Sequence, residues 1–213
     1  METRMSKYNR KYLVNDVLRD IEKDSYTFED AKAQGNLTTG YPAWNLMYYN
    51  IICSLPEDRN HANVIETGTC KGLSTIVLAQ ALKDRGFTGA VDTVELSNAN
   101  YKESLKNIKD SGLSDFITST NGDSLEFLAN YVKEKQYIDF AFLDGNHSYE
   151  YCVKEFEIIF PLISKVDGKV YFDNVKYKPI TDALAFIKSN YGGNVVKYFN
   201  CSWGPSGQAI WSA

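Results

Sequence analysis

From Asn63 onward the chain alternates short apolar runs with helix-like stretches, and this alternation limits the fold more than any other feature. The runs NVIET, AVDTVEL, FITST, IDFAFLD and KVYFD have strand length and are apolar on both sides. Between them, residues 74–83, 101–111, 124–135 and 148–160 carry the helical pattern. Two-sided strands alternating with helices predict a parallel sheet covered on both faces. One more helix, DALAFIKSNY, follows Thr181. The segments NVVKYFN, CSWGPSG and QAIWS then predict two antiparallel strands at the sheet edge, joined through Gly204, Pro205 and Gly207. The expected fold class is α/β: a doubly wound, mostly parallel sheet with helices on both faces and a C-terminal antiparallel pair.

The first 60 residues break this rhythm. Residues 12–24 place Leu13, Val17, Leu18 and Ile21 at helical spacing, and 43–55 are rich in large apolar residues between Pro42 and Pro56. We expect a helical cap over 1–60 and a ligand-binding domain over 61–213. Tyr41, Trp44, Tyr48 and Tyr49 are either aromatic walls for a substrate or a packing surface, which leaves a homodimer open.

A hydrophobic fraction of 44% with 23% charged residues fits a globular chain and excludes bulk disorder. The net charge of −4 advertises neither nucleic acid nor an anionic membrane. Cys53, Cys70, Cys152 and Cys201 form no CxxC pair, and His61 and His147 are the only histidines, which argues against a disulfide framework or a zinc site. Neither a signal peptide nor an apolar run long enough to span a bilayer is visible. The expected location is cytoplasmic, with reduced thiols.

The chemistry gathers at strand ends, where doubly wound sheets bind ligands. The first strand ends Glu66-Thr67-Gly68-Thr69-Cys70-Lys71-Gly72. Gly68 permits a sharp turn, and Gly72 permits close packing of the next helix. The spacing is neither GxGxxG nor a P-loop. An acid at Glu66 would repel a pyrophosphate but suits an ammonium or sulfonium group. Glu95 ends the second strand, where a carboxylate accepts both hydroxyls of a ribose; NAD would use the same acid. After the third strand, Asp123 can accept from an exocyclic amine and Ser124 can cap the next helix, although either residue can be a cap alone.

The fourth strand ends Leu143-Asp144-Gly145-Asn146-His147, and the fifth ends Phe172-Asp173-Asn174. If these strands are neighbours, Asp144, Asp173 and Asn174 converge as a hard oxygen site for Mg2+ or another divalent cation. His147 lies three residues past Asp144, where a neutral imidazole can serve as a general base or simply open a helix.

VIETGTCKG, VDTVELS, the NGDS turn, FAFLDGNHSYE and KVYFDNV together resemble the class I S-adenosylmethionine-dependent methyltransferases. The resemblance covers about residues 63–213 and implies a Rossmann-like sheet. Asp144 with Asp173 and Asn174 also resembles the cation-dependent O-methyltransferases of the catechol and caffeoyl-CoA type, in which the matching residues bind magnesium. That type carries a lysine base where this chain has His147. The resemblance implies a cofactor set of Glu66, Gly68, Thr69, Gly72, Ser74, Glu95, Asp123, Ser124 and Asp144, and a catalytic pair of His147 and Asp144. The expected reaction is methyl transfer from S-adenosyl-L-methionine to a hydroxyl of a small molecule or sugar, assisted by a divalent cation. Two other readings stay open on the same fold: an NAD-dependent or hydroxylase-type tailoring enzyme, and an inactive cofactor-binding module. The set of facing acids argues against the second. The absence of an Asn-Pro-Pro-Tyr motif and the acidic charge argue against a nucleic-acid acceptor.

Overall fold

The computed structural model describes residues 59–135, 137–165, 167–198 and 207–213, together with Met47 and Leu55. Apart from Met47 and Leu55, the two helices expected over 12–24 and 43–55, and with them the cap and its aromatic residues, lie outside the described residues. The described chain runs β1 (Val64–Thr67), α1 (Leu73–Arg85), β2 (Val91–Glu95), α2 (Asn98–Asp110) and β3 (Ile117–Asn121). It continues through α3 (Ser124–Glu134), β4 (Phe140–Leu143), α4 (Tyr149–Ile159) and β5 (Lys169–Phe172). It closes with α5 (Lys178–Tyr191), β6 (Asn194–Tyr198) and β7 (Gln208–Ser212).

The seven strands form one sheet in the order β3-β2-β1-β4-β5-β7-β6. The first five are parallel, while β7 runs antiparallel to both β5 and β6. This is the doubly wound, mostly parallel arrangement, with the antiparallel pair at the edge where the sequence put it. The register sets Thr67 beside Leu143 and Leu143 beside Phe172, so the residues following β1, β4 and β5 emerge at one rim.

Side-chain alternation splits the sheet into two cores, as a period of two requires. Val64, Phe140, Phe142, Tyr171 and Ile210 pack on one face against α1 and against Ile108 of α2. Ile65, Ala141, Leu143, Val170, Phe172 and Trp211 pack on the other, against α3, α4 and α5. On that second face Phe156, Phe160, Tyr191 and Trp211 form an aromatic cluster with centroids 4.7–6.0 Å apart, edge-to-face except for the tilted Phe156–Phe160 pair. An indole N–H donated from Trp211 to the Gly192 carbonyl at 2.9 Å ties β7 to the end of α5.

Helix α5 begins at Lys178, ahead of the expected start after Thr181. Pro179 lies in its first turn, where a missing N–H costs nothing, so the proline opens the helix instead of delaying it. Helix α1 is buried along most of its length, and the N–H of Gly86, in the left-handed conformation, closes its end on Lys83.

Candidate active site

The strand order reverses between β1 and β4, and the crevice at such a reversal is where open α/β sheets hold ligands. The turn from β1 to α1 fills one side of it. Gly68 (φ +85) and Gly72 (φ +88) are both left-handed, with Cys70 between them at φ +48. A Cβ on Gly68 would stand 2.2 Å from the Asp144 carbonyl oxygen, so the glycine turn rests directly on the end of β4. No side chain caps the start of α1 at Gly72.

Beneath the turn, on the α1 side, lies a buried net of hydroxyls around Glu66. Glu66 is 0% exposed. Its Oε2 accepts a short hydrogen bond from the Thr75 hydroxyl and another from Thr93 at 2.7 Å, while Oε1 has no partner. With the Thr93 proton committed to Glu66, the Thr69 hydroxyl donates to Thr93 at 2.6 Å. Ser74 is also buried beside Glu66 and favours its charged form. Burial pushes the Glu66 carboxyl up to about 7, against the pull of these hydroxyls. Of the residues expected to touch a cofactor, Glu66, Thr69 and Ser74 are thus turned inward as props of the turn.

Glu95, at the end of β2, is pinned by backbone. Its Oε2 accepts the Cys70 N–H at 2.8 Å and its Oε1 the Ser97 N–H at 2.7 Å. Each carboxylate oxygen keeps a further lone pair for a ligand hydroxyl. Past β3, Asp123 is the helix cap and Ser124 is the first residue of α3. Asp123 has extended backbone, and its Oδ1 accepts the Leu125 N–H at 2.9 Å and the Glu126 N–H at 3.3 Å. Its Oδ2 accepts the Tyr151 hydroxyl at 2.9 Å. The cap that sequence allowed to either residue belongs to Asp123, and Ser124 lies near Glu155.

The other side of the crevice belongs to β4 and β5. Asp144 donates its backbone N–H to the Thr67 carbonyl at 3.1 Å and to the Thr67 hydroxyl at 3.3 Å. Its Oδ1 lies 3.0 Å from His147 Nε2. Asn174, left-handed at φ +55, brings its amide within 2.8 Å of the same ring nitrogen. A proton on Nε2 donated to Asp144 leaves the lone pair on Nδ1, and in that tautomer the Asn174 amide turns its oxygen toward Nε2. Burial works against a charged His147. The hydrogen bond and charge of Asp144, with Asp173 and Glu155 behind, outweigh it and hold the imidazole above its usual value.

Asp173 is buried, and its carboxyl stands well above the carboxylate range because of burial and then the charge of Asp144. Gln208 of β7 lies beside it and favours the charged form, but neither Gln208 amide atom completes a hydrogen bond of normal geometry. Among the described residues, no three His, Cys, Asp or Glu side chains gather as a metal site. What converges is two carboxylates, one amide and one imidazole. Two facing carboxylates with an amide oxygen suit a hard divalent cation that retains water ligands, so the donor set fits such an ion.

Sequence reasoning missed Glu155. It is 1% exposed on α4, with Oε2 accepting the Thr67 hydroxyl at 3.3 Å and Oε1 unpartnered. Burial pushes it up to about 7. An available signal was its place on the apolar stripe of α4 with Cys152, Val153, Phe156 and Ile159.

Residues 65–175 match the family model of a methyltransferase domain, and the chain belongs to that family. No curated protein matches the sequence. Several solved structures are similar. The O-methyltransferase of Bacillus cereus in complex with SAH is 21% identical, covering 93% of this chain and 91% of that one, with a TM-score of 0.68. TomG of Streptomyces achromogenes, an O-methyltransferase involved in tomaymycin synthesis and in complex with SAM, is 16% identical over 97% of this chain and 100% of its own, with a TM-score of 0.64. The SAH-bound methyltransferase PaMTH1 of Podospora anserina is 17% identical over 97% of both chains, with a TM-score of 0.65. At these identities the likeness establishes the shared fold. No helix among the described residues is long and apolar enough to cross a membrane.

Proposed function

We propose that the protein transfers the methyl group of S-adenosylmethionine to a hydroxyl of a small molecule, with a divalent cation at Asp144, Asp173 and Asn174. The observation that carries this reading is the meeting of Asp144, Asn174 and His147 at the rim where the glycine turn rests on Asp144. Structural relatives bound to SAM or SAH support the cofactor. The rim of Gly68, Gly72, Glu95 and Asp123 holds the cofactor, with Glu95 toward the ribose hydroxyls and Asp123 at the adenine end. When bound, the cation supplies positive charge that lowers the proton affinity of an acceptor hydroxyl.

In the reaction the acceptor oxygen forms a bond to the methyl carbon while the carbon–sulfur bond breaks, and the electron pair stays on sulfur. His147 takes the hydroxyl proton on Nδ1. Asp144 holds the ring in that tautomer through Nε2 and stabilises the imidazolium that results. Positioning of the two reactants accounts for most of the acceleration.

Thermal shift tests the reading directly. S-adenosylhomocysteine at about 100 times its Kd should stabilise the chain by about 2.7 kcal/mol, and NAD should not. Mg2+ should give a further shift that Asp173→Asn removes. With a panel of phenolic and sugar hydroxyls, turnover should fall in excess chelator and in His147→Ala. Stabilisation by NAD and not by S-adenosylhomocysteine would overturn the cofactor, and full activity in chelator would overturn the cation.

A further inference from the structure

Glu155 is an acid buried on α4, and no step of the mechanism above passes through it. Its position links two strand ends. Through Oε2 it accepts the Thr67 hydroxyl at 3.3 Å. That same hydroxyl oxygen accepts the Asp144 backbone N–H at 3.3 Å, so the Thr67 proton is committed to Glu155 and its lone pair to Asp144. Ser124, the first residue of α3, lies close enough to favour the charged form of Glu155 but completes no hydrogen bond to it. Gly145 closes the remaining side: a Cβ there would come within 3.3 Å of Thr67 and 3.4 Å of Glu155 Oε1.

The strand end held in this way also supports the cofactor turn. Gly68 follows Thr67 directly, and its α-carbon sits against the Asp144 carbonyl so closely that a methyl group has no room. A shift of a few tenths of an ångström in the Asp144 peptide therefore moves the turn that meets the cofactor. It also moves the Asp144 carboxylate that meets His147. We infer that Glu155 is a positioning residue: through Thr67 it fixes the Asp144 peptide, and so locks the cofactor turn to the acceptor side of the crevice. The inference rests on the reading of this crevice as an S-adenosylmethionine site.

A buried carboxylate is a costly way to obtain packing alone. An apolar chain of similar volume in its place would be neutral or stabilising if packing were its only task. That sets the test, which uses the full chain and S-adenosylhomocysteine binding by calorimetry. Glu155→Met should weaken S-adenosylhomocysteine about tenfold, the scale of one lost hydrogen bond of about 1.5 kcal/mol, without lowering the melting temperature. Glu155→Gln keeps an acceptor at the same reach and should bind within about threefold of the unsubstituted protein. Thr67→Val should match Glu155→Met, Thr67→Ser should rescue it, and the double variant Glu155→Met with Thr67→Val should be no weaker than either single one.

Unchanged affinity in Glu155→Met overturns the inference. So does additive loss in the double variant, or a loss in Glu155→Gln equal to that in Glu155→Met. If Glu155→Met does not fold, Thr67→Ser against Thr67→Val decides alone, with equal affinity as the overturning result. Absence of S-adenosylhomocysteine binding in the unsubstituted protein would be a different failure, because it removes the proposed cofactor and leaves the linkage aside.

Discussion

The two halves of the crevice treat their acids differently. On the β1–β3 side the rim carboxylates are spoken for by the backbone: Glu95 takes two N–H groups and Asp123 takes two more and a tyrosine hydroxyl. On the β4–β5 side Asp173 faces the charge of Asp144 in a buried setting, and both lean on an imidazole. The first half is satisfied without a ligand and keeps its shape. The second keeps a carboxyl that resists ionisation beside a charged one, and positive charge arriving there gains the most by favouring the charged form. A preorganised cofactor rim beside a charge-hungry acceptor rim is a sensible division for a reaction in which a sulfonium donor must be held still while a hydroxyl is deprotonated.

Three substitutions probe this contrast, beginning with the largest expected effect. Gly68→Ala puts a methyl group against the Asp144 carbonyl and strains a left-handed residue, so it damages both halves at their contact. Overpacking and the backbone penalty together should cost about 3 kcal/mol, lower the melting temperature by about 10 °C, and abolish S-adenosylhomocysteine binding in calorimetry. Retained binding would mean that the two halves are not mechanically joined there. Glu95→Ala removes the acceptor of the Cys70 and Ser97 N–H groups. Cofactor affinity should fall at least tenfold, by about 1.5–3 kcal/mol, while any Mg2+ shift persists. Loss of the metal response as well would break the division into halves.

The smallest effect concerns the buried prop on the cofactor side. Glu66 stands at about 7 in the folded protein against an ordinary value of 4.5. Between those values the folded chain keeps a proton that the unfolded chain has released, so stability falls as pH rises through this window and stays low above it. The full penalty is at most about 3.4 kcal/mol. Melting curves from pH 5 to 9 should show this fall, and Glu66→Gln should flatten part of it and melt a few degrees higher at pH 9. An identical slope in the variant would show that Glu66 does not hold its proton.

The sheet was legible because its signal is repeated. Five apolar runs with helices between them leave little choice of architecture, and the C-terminal pair was marked by its turn residues. Strand-end acids were legible as candidates because topology alone carries Glu95, Asp144 and Asp173 to one rim. Side-chain direction was not legible. Residues 66 and 67 are adjacent, yet Glu66 faces α1 and Thr67 faces α4, and which neighbour each one meets depends on helix placement. The same limit hid Glu155, whose partner Thr67 lies 88 residues away. It also left the choice between Asp123 and Ser124 as the cap open, since both residue types cap helices and only backbone angles separate them.

The strand order has a consequence for assembly. Strand β6 is synthesised before β7 but lies outside it, and its recorded pairing is with β7 alone. During synthesis β6 must therefore wait, unpaired, until β7 slips between it and β5. The same event delivers Gln208 to the side of Asp173 and seats Trp211 in the aromatic cluster. Closure of the sheet edge and completion of the acceptor side are thus a single late step, and a chain stalled before it would present an open strand edge to its neighbours.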